Sequence, residues 1–254
     1  MTITPLPLTH TIDGVEYTIH PVLIRAEAGN YLVDCGYEET VGQLIEKLLE
    51  AGVEERELTG LIITHDDHDH MGGAAELKRL NPGLKIFCGA EEADSVCGKV
   101  KSERLIQAEN SLDSMPERAR KWALSFIEML INTPKVPVDV LLGDGDEVVE
   151  GIVAVSTPGH TKGHISIYLP GSSTVITGDA LVLEDGRLTI ANPQYALDLE
   201  RANESAEKIR ALDAKTIICY HGGVGDFRNF DLSKQSYPEI YGGLLYSGGV
   251  RMKL

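Results

Sequence analysis

Positive charge is scarce in this chain: 23 Lys and Arg stand against 39 Asp and Glu, for a formal net charge of −16. Long-range attraction to nucleic-acid phosphates or anionic lipid is therefore opposed, which argues against nucleic acid or a membrane as a partner. Carboxylates that hold divalent cations would make part of that excess local and neutralised. Long apolar runs are missing too. None reaches the roughly 18 residues of a membrane span, and residues 1–24 lack the basic start and apolar stretch of a secretory signal, so the expected compartment is the cytoplasm. Cysteine is sparse: Cys35, Cys88, Cys97 and Cys219 form no C-x-x-C arrangement and read as reduced thiols, mostly in the core. There is no low-complexity tract and no repeat with a period of about 20 to 50 residues.

What remains is an ordinary globular composition, with 254 residues of which 43% are hydrophobic and 24% charged, enough for one large domain or two small ones. The start reads as strand and turn: VEYTIHPVLIRA and NYLVDCG are β-branched and punctuated by Asp13-Gly14, Gly29-Asn30 and Gly36, which predicts a meander. Leu44, Ile45, Leu48 and Leu49 recur at helical spacing before Gly52. LTGLIITH then runs straight into charged residues, as a buried strand does when it delivers polar groups at its end. A helix is expected over Ala74 to Leu80 and a strand at LKIFCGA. From Glu91 to Pro137 there is no strand signal; Ser114 to Glu117 reads as a capping box, with Trp122, Phe126, Met129 and Leu130 on one helical stripe. That segment is either a helix covering core or a cap over a binding pocket. The second half repeats the order, with strands at VDVLLG, EVVEGIVAVST, HISIYLP, STVITGD and TIICYH and a helix from Asp198 to Leu212. Strands followed by a helix, twice over, predict two sheet-plus-helix halves.

The chemistry is concentrated in Thr64-His65-Asp66-Asp67-His68-Asp69-His70-Met71-Gly72-Gly73. Six consecutive residues able to bind metal or move a proton, placed where a buried strand ends, are costly to explain as a solvated run. Imidazole and carboxylate together suit Zn²⁺, Mn²⁺ or Fe²⁺. His160 in TPGHTKGH, Asp179 in TGDA and His221 in CYHGG have the same character, each after an apolar strand and beside a glycine.

In these residues the chain resembles the metallo-β-lactamase superfamily, whose pattern is H-x-H-x-D-H followed by a separate His, an Asp and a final His. YLVDCG near the start, which is similar to the family's strand ending in Asp-x-Gly, and the order of segments through to CYHGG extend the resemblance over nearly the whole chain. It implies an α+β, αββα sandwich over residues 1–254, with the helical insertion at about 91–137 lying over the site. It also implies two divalent metals, zinc first and iron or manganese as alternatives. His65, Asp67 and His160 would hold one metal, Asp69, His70 and His221 the other, with Asp179 bridging.

Asp67 departs from the pattern, standing where the second His is usual; in a shifted register His68 would be the ligand and Asp67 would turn away. Three aspartates and one hydroxide would balance two divalent cations, so the Asp67 version is expected to be close to neutral and a weaker Lewis acid than the His version. Asp66 reads as a solvated carboxylate or one supporting a ligand, Asp34 as a group that orients a ligand imidazole, and His164, His10 and His20 as structural. Lactonase-like relatives often carry a Tyr shortly after the bridging Asp, but Val182 stands in that region here. Tyr195, Tyr220, Tyr241 and Lys162 are candidate replacements.

The function the resemblance implies is hydrolysis of a small-molecule ester, lactone or thioester by metal-bound hydroxide, with Asp69 passing the proton. A non-haem iron oxidoreductase and a phosphodiesterase are the alternatives. The first would need a flavin region or a rubredoxin-like Cys cluster that the chain lacks, the second a basic cleft. A homodimer and the role of the Gly-rich segment from Tyr241 to Gly249 are left open.

Overall fold

A computed structural model describes residues 1–12, 14–184, 186–191, 195–227, 246–247 and 250–251. The chain divides into two units: one of Met1–Leu6 with Pro21–Leu142, the other of Pro7–His20 with Gly143–Leu254.

The first unit is built on a six-stranded mixed sheet in the order Thr2–Pro5, Val22–Ala26, Gly29–Val33, Leu58–Ile63, Lys85–Gly89, Val140–Leu142. The first three strands pair antiparallel and the last three join in parallel. Leu58–Ile63, central and parallel on both sides, is buried along nearly its whole length, as its unbroken apolar character requires. Helix Val41–Glu50 turns Val41, Leu44 and Leu48 inward. It ends at Gly52, whose positive φ of 77° lets Gly52 and Val53 donate back to the Leu49 and Leu48 carbonyls. Residues 91–137 are strand-free as expected, with helices Ala93–Val96, Glu103–Ser111 and Glu117–Asn132. The latter two share a small core of Leu105, Ile127 and Leu130.

The second unit has a sheet in the order Gly223–Asp226, Thr216–Cys219, Thr174–Ile176, Ile165–Leu169, Ile152–Ser156, Glu147–Val149, with one parallel pair, Thr174–Ile176 against Thr216–Cys219. Helix Leu199–Arg210, capped by the Asp198 side chain on Arg201 N–H, buries Ala202, Ala206 and Ile209 in a core with Val175, Leu181 and Ile217. A hairpin of Leu8–Ile12 and Val15–Ile19 belongs to this unit.

Four expectations need correction. The early meander is split: Val15–Ile19 stays with the second unit while Val22–Ala26 joins the first sheet, because Pro21 has no N–H with which to continue one strand. VDVLLG adds to the first sheet, parallel to Lys85–Gly89, and not to the second half. The capping box does not form. Ser114 closes a short 3₁₀ turn, its hydroxyl donating to Ser111 O, and Pro116 holds the N-cap position with no side-chain cap. The buried stripe of that helix is Ala119, Ala123, Ile127 and Leu130, whereas Met129 is exposed. No helix among the described residues is long and apolar enough to cross a membrane.

Candidate metal centre

Each unit carries its own set of donors, and all stand where strands end. In the first unit, strand Leu58–Ile63 delivers Thr64 to His70. The glycine pair that follows lets this loop lie against the 35–41 segment. A Cβ on Gly72 would meet Glu38 N at 2.7 Å, and one on Gly73 would meet Cys35 O at 2.8 Å. Cys35 N–H donates to His70 O and Gly73 N–H to Gly36 O across that contact.

Asp34 organises the loop. It is a non-glycine residue at φ 57°, an unfavourable conformation, and its buried carboxylate accepts three hydrogen bonds of 2.8 Å, from Thr64 N–H, Thr64 Oγ1 and His70 Nδ1. Since the Thr64 hydroxyl proton is spent on Asp34, the 3.0 Å contact from Thr64 Oγ1 to His65 Nδ1 has the imidazole as donor. Both His65 and His70 are thereby held as Nδ1–H tautomers with the Nε2 lone pair available. His65 Nε2 lies 3.4 Å from Asp67 Oδ2, and His70 Nε2 lies 3.8 Å from Asp69 Oδ2. His68 packs between the rings of Tyr37 and Phe126, at centroid distances of 5.4 and 5.8 Å, with its Nδ1 3.8 Å from Asp69 Oδ1. Burial lowers its pKa, opposed by Asp69 and Asp67.

Two residues of this unit differ from expectation. Asp66 is not solvated: it is 4% exposed, and burial first, then the charge of Asp67, push its pKa up. Arg104, from helix Glu103–Ser111, was not among the expected site residues, yet it is 2% exposed and lies on Asp67, with Nη2 to Oδ2 at 3.0 Å and Nε to Oδ1 at 3.2 Å. The near-neutral site inferred from Asp67 alone is therefore revised, because a fixed positive charge accompanies that carboxylate. The excess carboxylate at position 67 was the one signal in the sequence that could have prompted a search for a cation.

In the second unit Asp179 follows Thr174–Ile176, His160 follows Ile152–Ser156 and His221 follows Thr216–Cys219. The Asp179 carboxylate sits between two imidazoles: Oδ2 is 3.5 Å from His160 Nε2, and Oδ1 is 3.5 Å from His221 Nε2. His164 holds this arrangement. Its Nε2 accepts the Asp179 backbone N–H at 3.0 Å, so Nδ1 carries the proton and donates to Thr157 Oγ1 at 2.8 Å, from which the chain continues through Ser166 to Thr177 O. Gly159, at φ 133°, allows the His160 loop to touch helix Leu199–Arg210, since a Cβ there would lie 2.2 Å from Ala202 N. His20 accepts a structural role, its Nδ1 3.1 Å from Tyr220 O. Of the candidate replacements for the missing Tyr, Lys162 is exposed, Tyr195 is half-buried, Tyr220 is buried with its ring edge-on to His221, and Tyr241 lies outside the described residues, as does all of the Gly-rich segment but Tyr246–Ser247.

The model of the metallo-β-lactamase superfamily matches residues 16–221, ending on the last of these donors. The chain belongs to the metallo-β-lactamase superfamily. It is 38% identical over 87 residues to a hydroxyacylglutathione hydrolase of Fuscovulum blasticum, a match that spans 33% of this chain and only 32% of that enzyme. It is 22% identical over 210 residues to the probable metallo-hydrolase YflN of Bacillus subtilis (strain 168), covering 78% of this chain and 77% of that protein. The crystal structure of TTHA1623 in a di-iron-bound form is similar in fold, with a TM-score of 0.64 at 21% identity, covering 91% of this chain and 98% of the other.

Superfamily members bind dinuclear metal sites, and the donor pairs within each unit can be compared with the spacing that a metal requires. Two ligand atoms on one tetrahedral metal, at bonds of about 2.0–2.2 Å, stand roughly 3.3–3.5 Å apart. The His65 to Asp67 separation and both separations at Asp179 have that length, while Asp69 to His70, at 3.8 Å, is wider. The chain is thus an α+β metallo-hydrolase fold carrying histidine and aspartate clusters suited to metal.

Proposed function

We propose that the protein is a dinuclear metal-dependent hydrolase of small esters, lactones or thioesters. His65, Asp67 and His160 would hold one metal and Asp69, His70 and His221 the other, with Asp179 shared. The observation that carries this reading is the Asp179 carboxylate, which offers one oxygen beside each of two different imidazoles. A carboxylate with one role would need only one such neighbour. Thioesters are favoured within the class by the partial likeness to hydroxyacylglutathione hydrolases, whose name states an acyl-thiol substrate. The net charge of −16 supports a small-molecule substrate over nucleic acid.

When bound, the metals would acidify a water and polarise the substrate carbonyl. The residues of the chain do the rest. Asp34 and Thr64 keep His65 and His70 in the ligating tautomer, and His164 fixes the Asp179 loop by its backbone. Asp69, buried and facing His70, would take a proton from the attacking water and return it to the leaving group.

The test is metal analysis of protein purified without chelator, beside an activity screen over esters, lactones and thioesters. About two equivalents of metal with turnover of one class is the expected result. Folded protein with reproducibly no metal would defeat the proposal. Bound iron with redox activity and no hydrolysis would move it to the iron oxidoreductase class.

A further inference from the structure

Arg104 is used by no step above, yet it is among the most buried charges of the first unit. Its guanidinium is fully engaged: Nη2 and Nε contact both oxygens of Asp67 at 3.0 to 3.3 Å, and Nη1 donates to Gln107 Oε1 at 2.9 Å, one turn further along the same helix. The helix places it deliberately. Ser102 caps the N-terminus by accepting Leu105 N–H, so Arg104 stands in the first turn beside buried Leu105. A cation in a first turn opposes the helix dipole, and a buried ion pair is on its own a weak source of stability. Neither local preference nor fold stability accounts for the residue.

The charge at Asp67 does. The superfamily pattern has a neutral imidazole at this position; Asp67 replaces it with a negative charge, and Arg104 returns one positive charge while leaving Oδ2 3.4 Å from His65 Nε2. We infer that Arg104 is a positioning residue whose fixed charge, acting through Asp67, makes the Asp67–Arg104 pair equivalent in net charge to the histidine it replaces. The inference rests on the reading of Asp67 as a metal ligand. It assigns to the helical segment a part in tuning the metal site in addition to any contact with substrate.

The two substitutions that unbalance the pair should move metal affinity in opposite directions. Arg104→Met removes the guanidinium's charge from the buried Asp67 carboxylate, so zinc affinity, measured by competition with a chromophoric chelator, rises about tenfold. Asp67→His sets an imidazole beside a guanidinium without a counter-charge and lowers affinity about tenfold. The double variant Asp67→His/Arg104→Met returns to within about threefold of wild type, and Arg104→Lys, which keeps the charge, stays within the same range. Circular dichroism of each variant reports folding, and Arg104→Lys tests the idea if the double variant does not fold. If Arg104 only props the loop, Arg104→Met weakens binding and the double variant binds no better than Asp67→His; that result overturns the inference and leaves the ligand reading intact. Asp67→Ala at wild-type affinity would overturn both.

Discussion

At single residues, the separations around Asp179 and Asp67 translate into measurable occupancies. Asp179 faces His160 with one oxygen and His221 with the other, so Asp179→Ala should reduce metal content at both positions at once, from about two equivalents to below one. Loss of a single equivalent would show that it serves one metal. Asp67→Ala should lower metal affinity about 10–100-fold, and His68→Ala much less, because His68 packs between Tyr37 and Phe126 while Asp67 faces His65. The reverse order would establish the shifted register. Asp67→Ala also strands the Arg104 charge in a buried setting, so it should cost about 3–5 kcal/mol of stability even without metal; urea unfolding of the chelated variant reads this separately. The cysteines offer a third check. Burial pushes Cys88 and Cys219 up to about 12 and Cys35 well above its ordinary range, while Cys97 is half-exposed. Iodoacetamide at pH 8 should therefore label Cys97 alone in the native protein and all four after denaturation, read by mass spectrometry.

Elements decide what the helical segment does. Ile127 lies in the small core with Leu105 and Leu130, whereas Trp122 stacks on Phe126 at 5.2 Å and both rings remain partly accessible, Phe126 edge-on to His68. Ile127→Ala should cost about 2–5 kcal/mol and leave substrate preference alone. Trp122→Ala should instead change kcat/KM ratios among acyl groups of different length by about 1–3 kcal/mol per methylene accommodated, with metal content intact. An unchanged ranking in a stably folded variant would remove Trp122 from the substrate pocket. The same elements show what was legible beforehand. Where an apolar strand runs into chemistry, as at Ile63 to His65 or Cys219 to His221, the transition is local, and the strand end is legible in the sequence. Pairings between distant segments were not legible. A three-residue strand such as Val140–Leu142 carries no mark of its partner, Ser114 offers a capping pattern that Pro116 pre-empts, and nothing local to Arg104 points to Asp67, 37 positions away.

For the whole molecule the consequence of these donors is a stability that depends on metal and on pH together. With metal in hundredfold excess over its dissociation constant each site adds about 2.7 kcal/mol. Two sites thus add about 5 kcal/mol, and a chain of this size should gain about 10–20 °C in Tm. Two divalent cations also offset part of the −16 charge, whose self-repulsion otherwise opposes compactness. The pH dependence has a definite sign. Four of the proposed ligands, His65, His70, His160 and His221, must be unprotonated to bind metal, whereas in the unfolded chain they take up protons below about pH 6.5. The unfolded state then binds more protons than the metal-loaded native state, so the metal-dependent part of the stability rises with pH and is lost as pH falls through that range. The difference in Tm between metal-loaded and chelated protein, measured by calorimetry in steps from pH 8 to pH 5, should be near its full value at pH 8 and close to zero at pH 5. A difference that stays constant across those steps would mean that the stabilising ions sit on carboxylates elsewhere on this acidic surface and not on the four histidines.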